Sequence, residues 1–224
     1  MKTYLVTGAS RGIGKEIARA LAEAGHGVIA TARSAQALEE LATAYPKNVV
    51  AVSADLSSDA GCAALAKVGP LDGMAHAAGL LINKPFHDLT DGDWQTMWEV
   101  NVMSAVRLAR HLSPVFTRGA HLVLIGSMGG VQGSSKYPGL SGYSATKGAL
   151  SVLTESLATE WGARGISVNC LALGAVQTDM LAQAFPGYQA PVSAERMGSH
   201  IASFLTSAGD IHNGKILQVA LNNP

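Results

Sequence analysis

The sequence predicts an α/β fold: a single doubly wound Rossmann domain over residues 1–224, with about seven strands in a parallel sheet and helices on both faces. Three observations predict it. The β-type stretches are continuous apolar runs, not alternating ones, which marks strands buried on both faces. They alternate with helix-period segments along the chain. The first run leads through a glycine-rich turn straight into an apolar helix.

Taken in order, Tyr4-Leu5-Val6 is the first strand. A helix follows with Ile13, Ile17, Ala20, Leu21 and Ala24 on one face, and Gly25 stops it. Val28-Ile29-Ala30 is the second strand; Ser34 is placed to cap a helix carrying Leu38, Leu41 and Ala42. Val49–Val52 is the third strand, ending at Asp55, with a helix expected around Asp59–Ala66. Leu71–His76 is the fourth, ending in Ala77-Ala78-Gly79. Thr90-Asp91-Gly92-Asp93 has the form of a capping box. It opens one long helix through Trp94, Met97, Trp98, Val102, Val106 and Leu108 toward Leu112. Leu122–Ile125 is the fifth strand, and the helix bearing Tyr143 and Lys147 runs on to Trp161. Ile166–Cys170 is the sixth strand, Ser193 caps a helix through Met197, Ile201 and Leu205, and Ile216–Val219 is the last strand.

Composition excludes several classes of function. The net charge is zero with no basic run, which argues against nucleic-acid binding. No stretch approaches about 18 apolar residues, and the apolar run at the N-terminus is too short for a signal peptide. A soluble, cytoplasmic protein with no membrane segment is expected. The seven histidines show no metal-ligand spacing, so no metal is expected. Cys62 and Cys170 read as small buried hydrophobes without a disulfide.

Glycines at 8, 12 and 14 sit in Thr7-Gly8-Ala9-Ser10-Arg11-Gly12-Ile13-Gly14. Such a turn lets the backbone approach a pyrophosphate, which rests on the free N–H groups and positive end of the helix. A dinucleotide usually meets an acid at the end of the second strand, on the ribose 2′-hydroxyl. Here that strand ends Ala30-Thr31-Ala32-Arg33-Ser34, with no acid from His26 through Leu38. Arg33 and Arg11 suit a 2′-phosphate through forked hydrogen bonds, which favours NADP(H) over NAD. Asp55 could accept from an adenine amino group or cap the next helix. Tyr143 and Lys147 stand four apart on a helix, one turn on one face. An ammonium beside a phenol favours the phenolate and suits the tyrosine to proton transfer near neutral pH.

In these residues, with Asp55-Leu56, Ala78-Gly79, Asn101, Ser127 and Thr178-Asp179-Met180, the chain resembles the short-chain dehydrogenase/reductase family. The resemblance implies reversible hydride transfer between a nicotinamide and an alcohol/ketone pair. It implies that Tyr143 is the general acid, that Lys147 lowers its pKa and holds the nicotinamide ribose, that Ser127 hydrogen-bonds the substrate oxygen, and that Asn101 holds a water leading from Lys147 to solvent. It places the cofactor against Gly8, Ser10, Arg11, Gly12, Ile13, Gly14, Arg33, Asp55, Leu56, Ala78, Gly79, Tyr143, Lys147, Gly174, Val176 and Thr178. It also implies a homodimer or homotetramer, with Trp94, Met97 and Trp98, and Leu153, Leu157 and Trp161, as candidate interface residues.

The chain departs from the family pattern in places. Asn-Asn-Ala-Gly becomes His76-Ala77-Ala78-Gly79, with His76 read as a satisfied strand-end residue and not a catalyst. Pro-Gly becomes Leu173-Gly174, and the ending is Leu221-Asn222-Asn223-Pro224. The loop Gln132–Gly139 before Tyr143 is long, and it and the residues after it offer Ser134, Ser135 and Ser141 as rivals to Ser127. The substrate lid around residues 177–193 is short, retaining Leu181, Phe185 and Tyr188. The expected function is NADPH-dependent reduction of a ketone or aldehyde. NAD-linked alcohol oxidation and a catalytically silent dinucleotide-binding sensor or scaffold are the alternatives.

Overall fold

In the computed structural model, which describes residues 1–221, the apolar runs become strands β1 (Thr3–Thr7), β2 (Gly27–Ala32), β3 (Val49–Ser53), β4 (Leu71–His76), β5 (Phe116–Ser127), β6 (Ser167–Leu173), β7 (Val176–Gln177), β8 (Val192–Ser193) and β9 (Ile216–Val219). Seven of them form one sheet in the order β3-β2-β1-β4-β5-β6-β9, and every neighbouring pair is parallel. β7 and β8 pair separately. The helices are α1 (Gly12–Glu23), α2 (Ala35–Ala44), α3 (Asp59–Ala64), α4 (Asp91–Trp98), α5 (Ser104–Leu112), α6 (Ser141–Trp161), α7 (Asp179–Ala184) and α8 (Ala194–Ser207).

Successive strand residues point to opposite faces, so a continuous apolar run fills two cores. Val6, Val28, Val123 and Leu171 pack with α1, α2 and α8. Leu5, Met74, Leu122 and Val168 pack with α3, α5 and α6. Leu21 on α1 and Leu108 on α5 are fully buried at the two centres; truncating either to Ala costs about 2–5 kcal/mol. α1 and α8 touch at backbone range, since a Cβ on Gly198 would lie 2.4 Å from Glu16 Cβ.

Several expectations change in detail. β5 starts at Phe116, well before Leu122. The long helix from Asp91 is interrupted by a π-helical turn over Glu99–Met103, which separates α4 from α5. The Thr90 capping box is present. Ser34 occupies the N-cap position of α2 but its side chain makes no cap bond. Ser193 caps α8 as expected. Met97 and Trp161 lie in the core, which removes them as interface candidates, whereas Trp98 is exposed. Asn222–Pro224 lie outside the described residues. Among those described, no helix is long and apolar enough to cross a membrane.

From β1 the chain steps outward to β3, then crosses back to β4 and proceeds the other way. Crossovers therefore leave β1 and β4 on opposite faces, and a crevice opens where Thr7 and His76 end their strands.

Candidate active site

That crevice is one cleft of about 970 Å³, lined by the glycine turn at one end and by the loops around Tyr143 at the other. Gly8 has a left-handed φ of +69°, and a Cβ there would lie 2.9 Å from Ala78 N. A Cβ on Gly14 would lie 2.3 Å from the Gly8 carbonyl oxygen. The turn thus closes on itself and on the β4 end, with no room for side chains. Arg11 is the N-cap of α1 in extended backbone, and its side chain makes no cap bond. The first N–H groups of α1 belong to Gly12, Ile13 and Gly14, which line the cleft with Ser10. A helix start with free N–H groups and a side-chain-free approach fits a pyrophosphate.

Arg11 and Arg33 are exposed and line the same end. Neither is in a salt bridge among the described residues. Asp55 does not cap α3; Ser58 does, accepting from Gly61 N at 3.0 Å. The Asp55 carboxylate accepts instead from the Ser57 hydroxyl (2.8 Å) and backbone (3.0 Å). Those bonds, with Arg33 nearby, hold it below the usual carboxylate range. Asp55, Leu56, Ala78, Gly79, Gly174, Val176 and Thr178 all line the cleft.

Tyr143 and Lys147 reach the cleft from one face of α6. Lys147 is 4% exposed, and its Nζ donates to the Ile125 carbonyl at 2.8 Å. Burial pushes the ammonium down to about 8. Nζ lies 5.7 Å from the Tyr143 ring centroid. Burial pushes the phenol up to about 12, opposed by the Ser127 hydroxyl. Tyr143 still faces the open cleft in part, so solvent moderates that rise. The expected lowering of the phenol by Lys147 is therefore not found here, because the ammonium is committed to a carbonyl and desolvation prevails.

Ser127 ends β5 in extended backbone, and its Oγ accepts from Gly129 N at 3.2 Å. It is at once a cap of the turn Met128–Gly130 and a cleft residue. Its rivals do not line the cleft. Ser134 donates into its own loop, to Met128 O at 2.5 Å. Glycines bring Ser127 to Tyr143: a Cβ on Gly130 would lie 2.6 Å from Gly148 N, and one on Gly129 would lie 2.8 Å from Ser144 Oγ. The strand end thus lies directly on α6. The Gly-Gly pair after Ser127 was the sequence signal for this approach, and it was missed.

Asn101 is fully buried within the π-helical turn. Its Oδ1 accepts from Leu80 N (2.7 Å), and its Nδ2 donates to Leu80 O (2.8 Å) and Thr146 Oγ1 (2.9 Å). It ties the segment after β4 to α6, next to Lys147. A Cβ on Gly79 would lie 3.4 Å from Asn101 Oδ1 and 3.5 Å from Lys147 Nζ, so both groups border the space over Gly79.

His76 takes the place of the missing amides. The Ser104 hydroxyl donates to Val100 O at 2.6 Å, so its oxygen accepts from His76 Nε2–H at 3.1 Å. His76 Nδ1 then accepts from the Thr7 hydroxyl at 3.0 Å, whose oxygen receives Ala78 N–H at 3.0 Å. Both ring nitrogens of His76 and the hydroxyls of Thr7 and Ser104 are thereby paired. Burial, and secondarily the Lys147 charge, push the imidazole down to about 3, so it stays neutral.

The far end of the cleft is lined by Leu81, Tyr137, Leu140, residues of α7, Phe185 and Tyr188. Thr178 caps α7, accepting from Leu181 N at 3.2 Å. Asn83 Nδ2 donates to Ala184 O at 2.7 Å, and Lys84 N donates to Gly139 O at 3.1 Å. Gln177 Oε1 accepts from Ala190 N at 2.8 Å. Sequence reasoning did not find these ties, which join loops far apart in the chain.

Comparison with known proteins agrees with this geometry. A family model described as short chain dehydrogenase matches residues 2–189. The chain is 35% identical over 188 residues to gluconate 5-dehydrogenase of Gluconobacter oxydans, covering 79% of this chain and 72% of that one. It is 35% identical over 186 residues to the 3-oxoacyl-acyl-carrier-protein reductase of Escherichia coli K12, covering 80% of this chain and 75% of that one. A short chain dehydrogenase from Burkholderia cenocepacia, solved in complex with NADP, superposes with a TM-score of 0.86 at 28% identity, over 98% of this chain and 96% of that one. The two sequence relatives are by name a dehydrogenase and a reductase, the solved neighbour shares the fold, and the chain belongs to the short-chain dehydrogenase/reductase family.

Proposed function

We propose that the protein is an NADP(H)-dependent carbonyl reductase, converting a ketone or aldehyde to an alcohol. The observation that carries this is the convergence of Ser127, Tyr143 and Lys147 in the same cleft as the glycine turn and two guanidinium groups, Arg11 and Arg33, that form no salt bridge among the described residues. Gly8, Gly12 and Gly14 would hold the pyrophosphate, and Arg11 and Arg33 the 2′-phosphate. Bound there, the nicotinamide supplies the hydride to the carbonyl carbon.

The chain's own groups supply the rest. Ser127 Oγ donates a hydrogen bond to the carbonyl oxygen as negative charge grows on it. Tyr143 gives its phenolic proton to that oxygen. Burial favours the protonated phenol, which is the form that reduction consumes. Lys147, charged below about 8, offsets the phenolate left behind. Asn101 and Lys147 border the space over Gly79, a route for the proton that restores Tyr143. His76 is outside the proton path.

The reading extends to a cytoplasmic homodimer or homotetramer of single-domain subunits with a short lid around 177–193. It is tested by following consumption of NADPH and NADH separately with a panel of ketones. NADPH consumption at the lower KM is expected. Preference for NADH would overturn the cofactor assignment, and consumption of neither cofactor would overturn the activity.

A further inference from the structure

We infer that the substrate half of the cleft selects an uncharged ketone with a bulky apolar or aromatic arm, in preference to a keto-sugar acid or an open-chain polyol ketone. This rests on the proposed carbonyl reduction and names its substrate class.

The argument starts from where charge lies in the cleft. Its charged side chains are Arg11, Arg33, Asp55, Lys147 and Asp179. The first three belong to the cofactor end. Lys147 is buried on Ile125 O and does not reach past Tyr143 into the far end. Among the described residues, the only charged liner from the lid segment is Asp179, an anion in the first turn of α7. A substrate carboxylate entering here would be stripped of water with no cation to receive it and an anion nearby. A polyol has the same difficulty in weaker form. Apart from Ser127 and the phenols, the far end offers Leu81, Leu140, Leu181 and Phe185, which cannot bond hydroxyls.

The aromatic residues point the same way. Tyr137 and Tyr188, 50% and 48% exposed, both line the cleft. Half-exposed rings lining a cleft are a contact surface for an apolar or aromatic group. The walls are held in place before anything binds. Asn83 ties α7 to the loop after β4, whose Lys84 N holds Gly139, and Gln177 ties the return of the lid. Gly139 is required for the first tie, since a Cβ there would fall 1.9 Å from Asn83 Oδ1. A short lid fixed at these points presents a ready apolar slot, and preorganisation of that kind favours a rigid guest.

The test is calorimetric binding to the protein saturated with NADP⁺, using α-tetralone as the uncharged aryl ketone and 5-ketogluconate as the keto-sugar acid. Binding does not require turnover, so failure of this inference is separable from failure of the proposed reduction. Tighter binding of α-tetralone, by about a hundredfold, is expected. Phe185→Ala and Tyr188→Ala should each weaken it about tenfold while leaving NADP⁺ affinity unchanged. Equal or tighter binding of 5-ketogluconate, or binding of neither, overturns the inference. Tight α-tetralone binding without NADPH-driven turnover would uphold the class and overturn the reduction alone.

Discussion

The two ends of the cleft are built by different means. The cofactor end is made of backbone: glycines at 8, 12 and 14, a helix start, and a strand end that touches Gly8 through Ala78. The substrate end is made of side chains carried on loops, fixed by single hydrogen bonds such as Asn83 to Ala184. Backbone sites tolerate almost no substitution at their contact points, whereas loop sites change specificity by exchange of a few side chains. In the proposed function, one end fixes the kind of chemistry and the other decides what it acts on.

Substitutions at the two ends should therefore differ in kind as well as size. The largest expected effect is at Gly14→Ala, where the new Cβ meets a backbone oxygen at 2.3 Å. Cofactor affinity should fall by about a hundredfold, in line with a misplaced binding turn, read by fluorescence titration. An unchanged affinity would show that the turn is softer than its geometry implies. Arg33→Asp should move cofactor preference from NADPH toward NADH by about tenfold or more. A preference that does not move would assign the 2′-phosphate to Arg11 alone.

Two buried histidines carry a pH liability, His76 beneath the crevice and His121 toward the opposite end of the sheet. His76 and His121 are both held neutral by burial, near 3 and near 4 against an ordinary 6.5. Below 6.5 the unfolded chain binds protons that the folded chain refuses. Their stabilisation is complete above about pH 6.5 and falls by about 1.4 kcal/mol per pH unit for each histidine until its folded value is reached. Urea midpoints measured from pH 7 to pH 4.5 should decline, and His76→Asn should flatten the decline. The smallest expected effect is Asn83→Ala at the substrate end: about a fivefold rise in the ketone KM, the value of one lost hydrogen bond, with cofactor affinity intact. An equal change in cofactor affinity would erase the distinction between the ends.

The same difference explains what could be read from the sequence. The parallel sheet was legible because Leu5 and Val6, or Val28 and Ile29, are apolar on both faces, a pattern that depends on local order alone. The glycine turn, Tyr143 and Lys147 were legible for the same reason: each is a short motif whose geometry is set by neighbours in the chain. The π-helical turn that buries Asn101 was not legible, because its partners Leu80 and Thr146 are distant in sequence. His76 was read as a satisfied strand-end residue, yet its partners Thr7 and Ser104 emerged only with the fold. The ionisation of Tyr143 ran opposite to expectation. Spacing on a helix places Lys147 near it, but says nothing of Ile125 O, which receives the ammonium, or of the desolvation of the phenol.

The central claim is that a protonated Tyr143 delivers the proton to a carbonyl in a cleft that binds the cofactor without it. Tyr143→Phe tests this directly, with NADPH affinity and single-turnover reduction of α-tetralone measured on the same preparation. The account predicts NADPH affinity within about twofold of the parent and reduction slowed about a thousandfold, the scale of a lost general acid. Reduction within a few-fold of the parent rate, with NADPH bound normally, would contradict it.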